Sequence, residues 1–301
     1  MRTGRRDRRH PGVRDEETAP FGDSGPRERA RRIFRSPSRA ALFTALAVGA
    51  VLTLTPANGA AGDIATGFVR AVRQLTLPSR SGQAFAGTAA VGALFTTSSG
   101  QLGQLGQHFC TASVVDSPGG DLAITAAHCV TGTSGIIEFV PGYDNGDKPY
   151  GVWAVTKVYV DHAWASSSSP DDDFAFLRIG LPGSGVPIED ETGAEQLATG
   201  TPASPQMVQV IGYPNSADQP VTCQNWLHQP MADQLEFDCG GYTDGTSGGP
   251  FLSEVNQATG QGMVIGVIGG YQQGGFTPQV SYSAELGASA AALYKTAVAD
   301  G

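Results

Sequence analysis

The stretch Gly245-Thr246-Ser247-Gly248-Gly249-Pro250 places a serine among small and conformationally permissive residues. A serine on such a turn can expose its hydroxyl, because glycine allows backbone conformations that few other residues adopt. The N–H groups of Gly245 and Ser247 could then converge on one developing oxyanion. A hydroxyl is a poor nucleophile at neutral pH, so it needs a neighbouring base and a charge-stabilising pocket. A plain glycine-rich turn is the alternative, and the apolar run that resumes at Pro250 makes an ordinary surface loop a poorer fit.

The candidate base is His128, far upstream in the stretch Thr125-Ala126-Ala127-His128-Cys129. It follows an apolar strand that begins at Leu122. A lone histidine in such a place is more often structural than catalytic. His128 is nevertheless favoured, because it is the only one of the five histidines next to a predicted disulfide cysteine, and its neighbours are small enough to leave the imidazole uncovered.

The candidate residue for orienting this base is Asp173, which precedes an apolar strand. Alternation with period two puts Asp173, Ala175, Leu177 and Ile179 on one face. A carboxylate at the start of an apolar face is costly unless it holds hydrogen bonds. Accepting a bond from the His128 ring would offset that cost and fix the tautomer. A strand-capping acid is the alternative.

The first 61 residues differ in composition from the rest of the chain. They hold 12 of the 19 basic residues, all arginine, and an apolar run from Ala40 to Leu54 followed by small residues. This is the pattern of an export signal, with cleavage expected between Gly59 and Gly62. A single-pass anchor is the alternative, but this run is shorter than the roughly 20 residues that span a bilayer. The sequence therefore predicts a secreted protein, with residues 62–85 as a linker or short propeptide.

Charge limits the choice of partners. Beyond residue 61 the chain has 7 basic and 22 acidic residues. Nucleic acids and anionic membranes both attract basic surfaces, so we expect no nucleic acid partner and no stable membrane association after signal removal.

All four cysteines lie in the predicted exported part. An even count in a secreted chain indicates two disulfides, for which three connectivities exist. Proximity in sequence favours Cys110–Cys129 and Cys223–Cys239. A zinc site is the competing interpretation, but no pair has the close Cys-x2–4-Cys spacing of such sites. We therefore expect no metal and no cofactor.

Short β-rich runs dominate the exported part, and helical periodicity is nearly absent. Turn residues separate the runs, which predicts an all-β sandwich or barrels rather than βαβ units. Only residues 284–299 have a helical pattern, with Ser283 as a possible N-cap. The predicted strands are Ala90–Thr96, Thr111–Val115, Ala123–Ala126, Ile136–Val140, Val152–Val160, Phe174–Ile179, Met207–Ile211, Leu235–Phe237, Met263–Ile268 and Gln279–Tyr282.

Together these motifs resemble those of the chymotrypsin/trypsin-like serine proteases. The resemblance is carried by Phe109-Cys110-Thr111-Ala112-Ser113, by the stretches around His128 and Asp173, and by the stretch around Ser247, in that family's order. It covers about residues 86–299. It implies two Greek-key six-stranded β-barrels, residues 86–195 and 196–301, with the site between them and a closing C-terminal helix.

The resemblance also implies a role for each matching residue. Ser247 would attack the scissile carbonyl, His128 would transfer the proton, and Asp173 would orient His128. The N–H groups of Gly245 and Ser247 would form the oxyanion hole. The strand around Val264–Gly270 would pair with the substrate main chain. The substrate-binding positions by this alignment are Gly241, Tyr242, Ile268, Gly269, Gly270 and Gln279.

The sequence departs from the family pattern in two places. Thr246 stands where animal members carry the aspartate that pairs with a newly cut N-terminus, so we expect a site that forms without such cutting. Cleavage within Gly62–Gln83 should then leave activity nearly unchanged. Gly241 and Ile268 replace the residues that read charged side chains in trypsins and glutamyl-specific relatives, which favours small or apolar side chains in the substrate.

These observations predict a secreted serine endopeptidase that works through an acyl-enzyme. We expect it to be a monomer and to act on a protein or peptide substrate. A protease homologue used as a binding module is one alternative. An esterase is another, because Gly245-x-Ser247-x-Gly249 fits the nucleophile elbow of α/β-hydrolases. That fold places its histidine last in the chain and alternates strands with helices, and this sequence does neither.

Overall fold

The computed structural model describes residues 80–301, except residues 98, 99, 201 and 203. The predicted export signal, 1–61, and the predicted linker up to residue 79 lie outside the described residues. No helix in the described part of the chain is both long enough and apolar enough to cross a bilayer.

Antiparallel strands form most of the described chain, with a few helices between them. The strands of the first part are β1 (Gln83–Ala84), β2 (Val91–Thr97), β3 (His108–Val115), β4 (Leu122–Thr125), β5 (Ile136–Pro141), β6 (Trp153–Val160) and β7 (Ala175–Gly180). Those of the second part are β8 (Gln196–Leu197), β9 (Met207–Gly212), β10 (Val221–Met231), β11 (Gln234–Asp238), β12 (Pro250–Ser253), β13 (Met263–Val267) and β14 (Val280–Ala284). The α-helices are α1 (Ala127–Val130), α2 (His162–Ser167), α3 (Ile188–Thr192) and α4 (Ala288–Ala299), and 3-10 turns cover Pro170–Asp172 and Tyr271–Gly274.

The first part is a closed barrel in the order β2-β3-β4-β7-β6-β5. Successive side chains on a strand point to opposite faces, and both faces are buried here. Ala123 and Leu177 belong to a hydrophobic cluster drawn from the barrel itself. Their neighbours Ile124 and Phe176 belong to a cluster that also contains Leu252 of the second part. The barrel is therefore packed inside and also against the second half of the protein.

The second part is a sheet in the order β14-β11-β10-β9-β12-β13-β8, with β1 on β10. It curls until β13 lies beside β14. The Val267 N–H donates to Ser283 Oγ at 2.8 Å, and the Gly269 N–H donates to the Tyr282 carbonyl at 2.9 Å. The prediction of an all-β fold with a C-terminal helix is confirmed, and the short strands β1 and β8 are additions to the six strands expected here.

The last residues of the predicted linker are integrated into this second sheet. The Gly82 N–H donates to the Gly240 carbonyl at 2.7 Å, and the Gly240 N–H donates to the Arg80 carbonyl at 2.8 Å. Gln83 in β1 then pairs with Thr222 in β10. Because these bonds satisfy backbone groups on both segments, residues 80–84 are part of the second sheet rather than a free connection.

The C-terminal helix begins later than the sequence predicted. Helix α4 starts at Ala288 after the N-cap Gly287, whereas Ser283 lies in β14. The Ser283 hydroxyl accepts from the Val267 N–H and donates to the Ala284 carbonyl at 2.7 Å, so it joins two strands instead of capping a helix. The helix packs through Ala290, Leu293 and Ala297, which lie in the cluster shared by both halves.

Both disulfides favoured by the sequence are present. Cys110–Cys129 connects β3 to α1 with Cα atoms 6.1 Å apart, and Cys223–Cys239 connects β10 to the residue after β11 with Cα atoms 6.7 Å apart. The ligand atoms of Cys110, Cys129 and His128 lie within 4.8 Å of one another. Because the two sulfur atoms are bonded to each other, neither is available as the thiolate that a metal ion would bind.

Candidate active site

His128 lies in the single turn of α1, directly after β4 ends at Thr125. Its neighbours Ala126 and Ala127 are fully buried, and the disulfide at Cys129 fastens the turn to β3. The His128 side chain is 15% exposed. The ring is therefore held on one side and open on the other, as a base that must reach a substrate requires.

Asp173 follows the 3-10 turn Pro170–Asp172 and is completely buried. Its Oδ1 accepts from the His128 backbone N–H at 2.9 Å, and its Oδ2 lies 2.8 Å from His128 Nδ1. Oδ2 also accepts from the Gly270 N–H at 2.9 Å. An ionised carboxylate can only accept hydrogen bonds, so this arrangement puts the ring proton on Nδ1 and leaves Nε2 with a free lone pair.

The loop that carries Ser247 is pressed against the start of the histidine turn. Gly248 has a φ of 80°, and a Cβ at this position would overlap the Thr125 hydroxyl and the Thr111 carbonyl. Ala126 N would lie only 3.1 Å from that Cβ, two residues before His128. Only glycine fits this close approach. The structure thus brings the backbone beside Ser247 next to the backbone that leads into His128.

The N–H groups of this loop fall into two sets. Those of Thr246, Gly248 and Gly249 donate to the carbonyls of Thr243, Ile268 and Thr246 at 3.1, 2.7 and 2.9 Å. Those of Gly245 and Ser247 have no backbone acceptor among the described residues.

The carbonyls of the same peptides show where these two N–H groups point. The Asp244 carbonyl accepts from the Asn215 N–H at 2.7 Å, and the Thr246 carbonyl accepts from Gly249. In a trans peptide the C=O and N–H point in opposite directions. The N–H groups of Gly245 and Ser247 therefore point away from those bonds and are available to an anionic oxygen.

Thr246 holds the loop from inside. It is 2% exposed, and its hydroxyl donates to the Thr243 carbonyl at 2.7 Å. Its side chain packs on Gly212, where a Cβ would come within 2.7 Å of Thr246 Cβ. At the position where animal members of the resembling family carry an ion-pairing aspartate, this protein therefore has a neutral hydroxyl that is hydrogen-bonded within the loop.

A cavity of about 480 Å³ opens beside Ser247. Tyr242 and Ile268, two of the predicted substrate-binding residues, line it. Tyr242 is 5% exposed, its hydroxyl donates to the Val210 carbonyl at 2.7 Å, and burial raises the pKa of this phenol. The ring is therefore a neutral, fixed wall.

The other four predicted substrate-binding residues do not line this cavity. Gly241 lies against Ser81 and Gly82, and Gln279 is exposed. The Gly269 N–H is bonded to Tyr282 and the Gly270 N–H to Asp173, so neither amide is free for a substrate main chain. The sequence could not show that the fold itself uses these groups.

Several residues of the cavity wall were not identified from the sequence. They are Asn215, Ser216, Thr243 and residues 273–278. The last of these begin within the Gly-Gly-Tyr-Gln-Gln-Gly-Gly stretch, residues 269–275, where Gln272 and Gln273 adopt φ angles of 55° and 53°. Left-handed conformations of this kind are costly for residues other than glycine and persist where contacts hold them, often near functional sites. Here Gln234 Oε1 accepts from the Tyr271 N–H at 2.8 Å.

Comparison with known proteins agrees with this geometry. A family model for trypsin matches residues 86–284. The protease Anisep from Arthrobacter nicotinovorans is 24% identical, with a TM-score of 0.60 over 72% of this chain and 99% of that one. A thermostable serine protease, AL20, from an extremophilic microorganism is 25% identical, with a TM-score of 0.60 over 71% and 99%. A Glu endopeptidase is 16% identical, with a TM-score of 0.57 over 74% and 99%.

The chain therefore belongs to the trypsin family of serine proteases. The resemblance drawn from its sequence motifs is confirmed by this match. The comparison with curated proteins found no match.

Proposed function

We propose that this protein is a secreted serine endopeptidase that hydrolyses peptide bonds through Ser247, His128 and Asp173. The observation that carries the proposal is the buried Asp173 carboxylate, which accepts from both the backbone and the ring of His128. A buried charge is costly unless it is fully hydrogen-bonded. The bonds to His128 offset that cost and orient its ring, which leaves Nε2 of His128 as the proton acceptor.

The proposed reaction runs through an acyl-enzyme. Ser247 Oγ attacks the carbonyl carbon of the substrate while its proton passes to Nε2 of His128. The oxyanion of the tetrahedral intermediate accepts from the N–H groups of Gly245 and Ser247. The intermediate collapses as the imidazolium of His128 protonates the leaving amine. Water then repeats the sequence at the acyl carbon and releases the second product.

The cavity beside Ser247 argues against acidic side chains in the substrate. None of the residues that line this cavity is basic, and Asp244 at its wall would repel an acidic side chain. The related Glu endopeptidase is named for acidic substrates, so this chain should differ from it. We propose small or apolar residues before the cleaved bond, because Tyr242 and Ile268 supply the apolar wall.

Secretion is proposed from two independent features of the sequence and structure. Residues 1–61 have the pattern of an export signal, and the described chain contains two disulfides. Disulfides persist in oxidising compartments and are rare in the cytosol. Recovery of the folded chain, without residues 1–61, from the culture medium would support this part of the proposal, and retention in the cell would contradict it.

The central test combines labelling with substrate profiling. The secreted protein is treated with a fluorophosphonate and incubated separately with a peptide library and with simple esters. Labelling with peptide turnover supports the protease, labelling with ester turnover alone favours an esterase, and no labelling favours a binding module. Ser247→Ala should abolish labelling. Ser184→Ala, a matched change on an exposed loop, should leave it intact.

A further inference from the structure

We propose that Thr111 is a positioning residue for the oxyanion hole, which it stabilises through its buried hydroxyl without touching the substrate. This inference rests on the proposed function, because it concerns the N–H groups of Gly245 and Ser247. Thr111 lies in β3 of the first barrel and is completely buried. It is not among the residues that line the cavity beside Ser247.

Every polar atom of Thr111 is bonded to the site or to its supports. Its hydroxyl donates to the Gly245 carbonyl at 3.0 Å and accepts from the Tyr213 N–H at 2.9 Å. Its N–H donates to the Ser247 carbonyl at 2.7 Å. Its carbonyl accepts from the Thr125 hydroxyl at 2.7 Å. One residue of the first barrel thus holds two carbonyls of the serine loop.

The hydroxyl matters because Gly245 has no side chain to restrict its backbone. Its φ is 95°, a left-handed value that glycine adopts as easily as many others. The peptide before Gly245 is fixed by the bond from Asn215 to the Asp244 carbonyl. The peptide after it is held at its carbonyl by the Thr111 hydroxyl and at its N–H, that of Thr246, by the Thr243 carbonyl. The same hydroxyl accepts from the Tyr213 N–H, two residues before Asn215. Without the hydroxyl, the segment that leads to Asn215 and the Gly245 carbonyl both lose a support, and the peptide that carries the Gly245 N–H no longer keeps the direction that the oxyanion needs.

Other contacts hold neighbouring parts of the serine loop, but they do not replace the bond to the Gly245 carbonyl. Thr246 holds the turn from Thr243 onward, and Gly248 is confined by Thr125. In the described part of the chain, no second donor is bonded to the Gly245 carbonyl. The Thr111 hydroxyl is therefore the contact that joins the first barrel to both the Gly245 carbonyl and the segment that leads to Asn215.

Three variants test the inference. Thr111→Val keeps the shape and the backbone N–H but removes the hydroxyl, and Thr111→Ser restores the hydroxyl. Thr192→Val is the matched control, because Thr192 is also a buried threonine whose hydroxyl bonds to carbonyls, those of Ile188 and Gly193, away from the site. For each protein we would measure the rate constant of fluorophosphonate inactivation against pH, kcat and KM for a cleaved peptide, and the melting temperature.

We expect Thr111→Val to lower kcat and the limiting inactivation rate by about 10- to 100-fold, less than the loss of an oxyanion donor itself. KM and the midpoint of the pH profile should stay at wild-type values, because substrate side-chain contacts and the imidazole are untouched. Thr111→Ser should recover most of the rate. Thr192→Val should keep it, even with a similar loss in melting temperature.

The inference is overturned if Thr111→Val retains wild-type kcat, or if its rate loss is matched by a control of equal stability. A rise in KM at constant kcat would also overturn it. If Thr111→Val does not fold, Thr111→Ala replaces it in the same comparison with Thr111→Ser. An unlabelled wild-type protein would instead count against the proposed function, so the two failures are distinguishable.

Discussion

Gly270 donates its backbone N–H to the same Asp173 oxygen that lies 2.8 Å from Nδ1 of His128. One oxygen of a buried carboxylate therefore links the loop next to the cavity with the ring of the candidate base. The second oxygen of Asp173 is taken by the His128 backbone. Both oxygens of Asp173 are thus engaged in holding His128, so changes at or beside Asp173 should alter catalysis.

Asp173→Asn should lower kcat by about 10⁴-fold while leaving the fold intact, because an amide presents a donor where His128 and Gly270 also donate. The ring would then adopt the wrong tautomer or turn away. The measurement is kcat for a cleaved peptide together with the circular dichroism spectrum. Asp172→Asn is the control and should stay near wild type, because among the described residues the Asp172 carboxylate accepts from the Ser169 hydroxyl alone, at 2.8 Å. Equal losses in both variants would contradict the role of Asp173.

Gly269→Ala should disturb the same carboxylate from the other side. A Cβ at Gly269 would lie 2.9 Å from the Asp173 carbonyl oxygen and 3.1 Å from Oδ2. We expect about a tenfold loss of kcat and a loss of stability of about 1–3 kcal/mol from overpacking. Gly287→Ala is the matched control, because a Cβ there meets nothing within 4 Å. Wild-type kcat in Gly269→Ala would show that Asp173 tolerates the shift.

Glu195 should make stability depend on pH. It is completely buried, Oε2 accepts from the Gly262 N–H at 2.5 Å, and Oε1 has no hydrogen-bond partner among the described residues. Burial raises the pKa of this carboxyl to about 7. Between the ordinary value of 4.5 and about 7 the folded protein keeps a proton that the unfolded chain has released. Stability therefore falls as pH rises through this range.

Glu195→Gln cannot ionise and should escape this loss. Relative to wild type, its free energy of unfolding should increase between pH 5 and pH 8 by up to about 3 kcal/mol. Urea unfolding at several pH values measures the difference. Glu191→Gln, at an exposed position of α3, should show no such trend. If the difference in unfolding free energy between wild type and Glu195→Gln is constant with pH, Glu195 is not the cause of the pH dependence.

Trimming the chain before Arg80 should leave activity unchanged, whereas a chain that starts at Phe85 should be less stable and less active. The second cut removes the bonds between residues 80–82 and Gly240, two residues before the cavity residue Tyr242. The measurements are kcat/KM and the melting temperature of the two shortened proteins. A large gain in activity after either cut would contradict the expectation that Thr246 makes a liberated N-terminus unnecessary.

The sequence predicted best those features that depend on local pattern. The alternation after Asp173 correctly placed Ala175, Leu177 and Ile179 in one cluster. The pairing of Asp173 with His128 was predicted from the cost of a carboxylate at the start of an apolar face and from the resemblance to the protease family. Strand β10 was missed because its run, Val221–Met231, is rich in polar residues and exposed along much of its length.

What the sequence could not predict depends on backbone bonds between distant segments. Ser283 has the composition of a helix cap, yet in the fold its hydroxyl joins β14 to β13. Gly269 and Gly270 were predicted to meet the substrate, but their N–H groups are used within the protein. The role inferred for Thr111 depends on Gly245, 134 positions away. No local pattern carries such information.

The bridge between Cys110 and Cys129 has a consequence for when the protein can act. It ties the turn that holds the imidazole to the neighbouring strand of the barrel. In the reducing interior of a producing cell this tether would stay open, and it would close only in an oxidising environment. If the protein is secreted as proposed, we expect its activity to appear only after export, so that proteins inside the producing cell are not cleaved during synthesis.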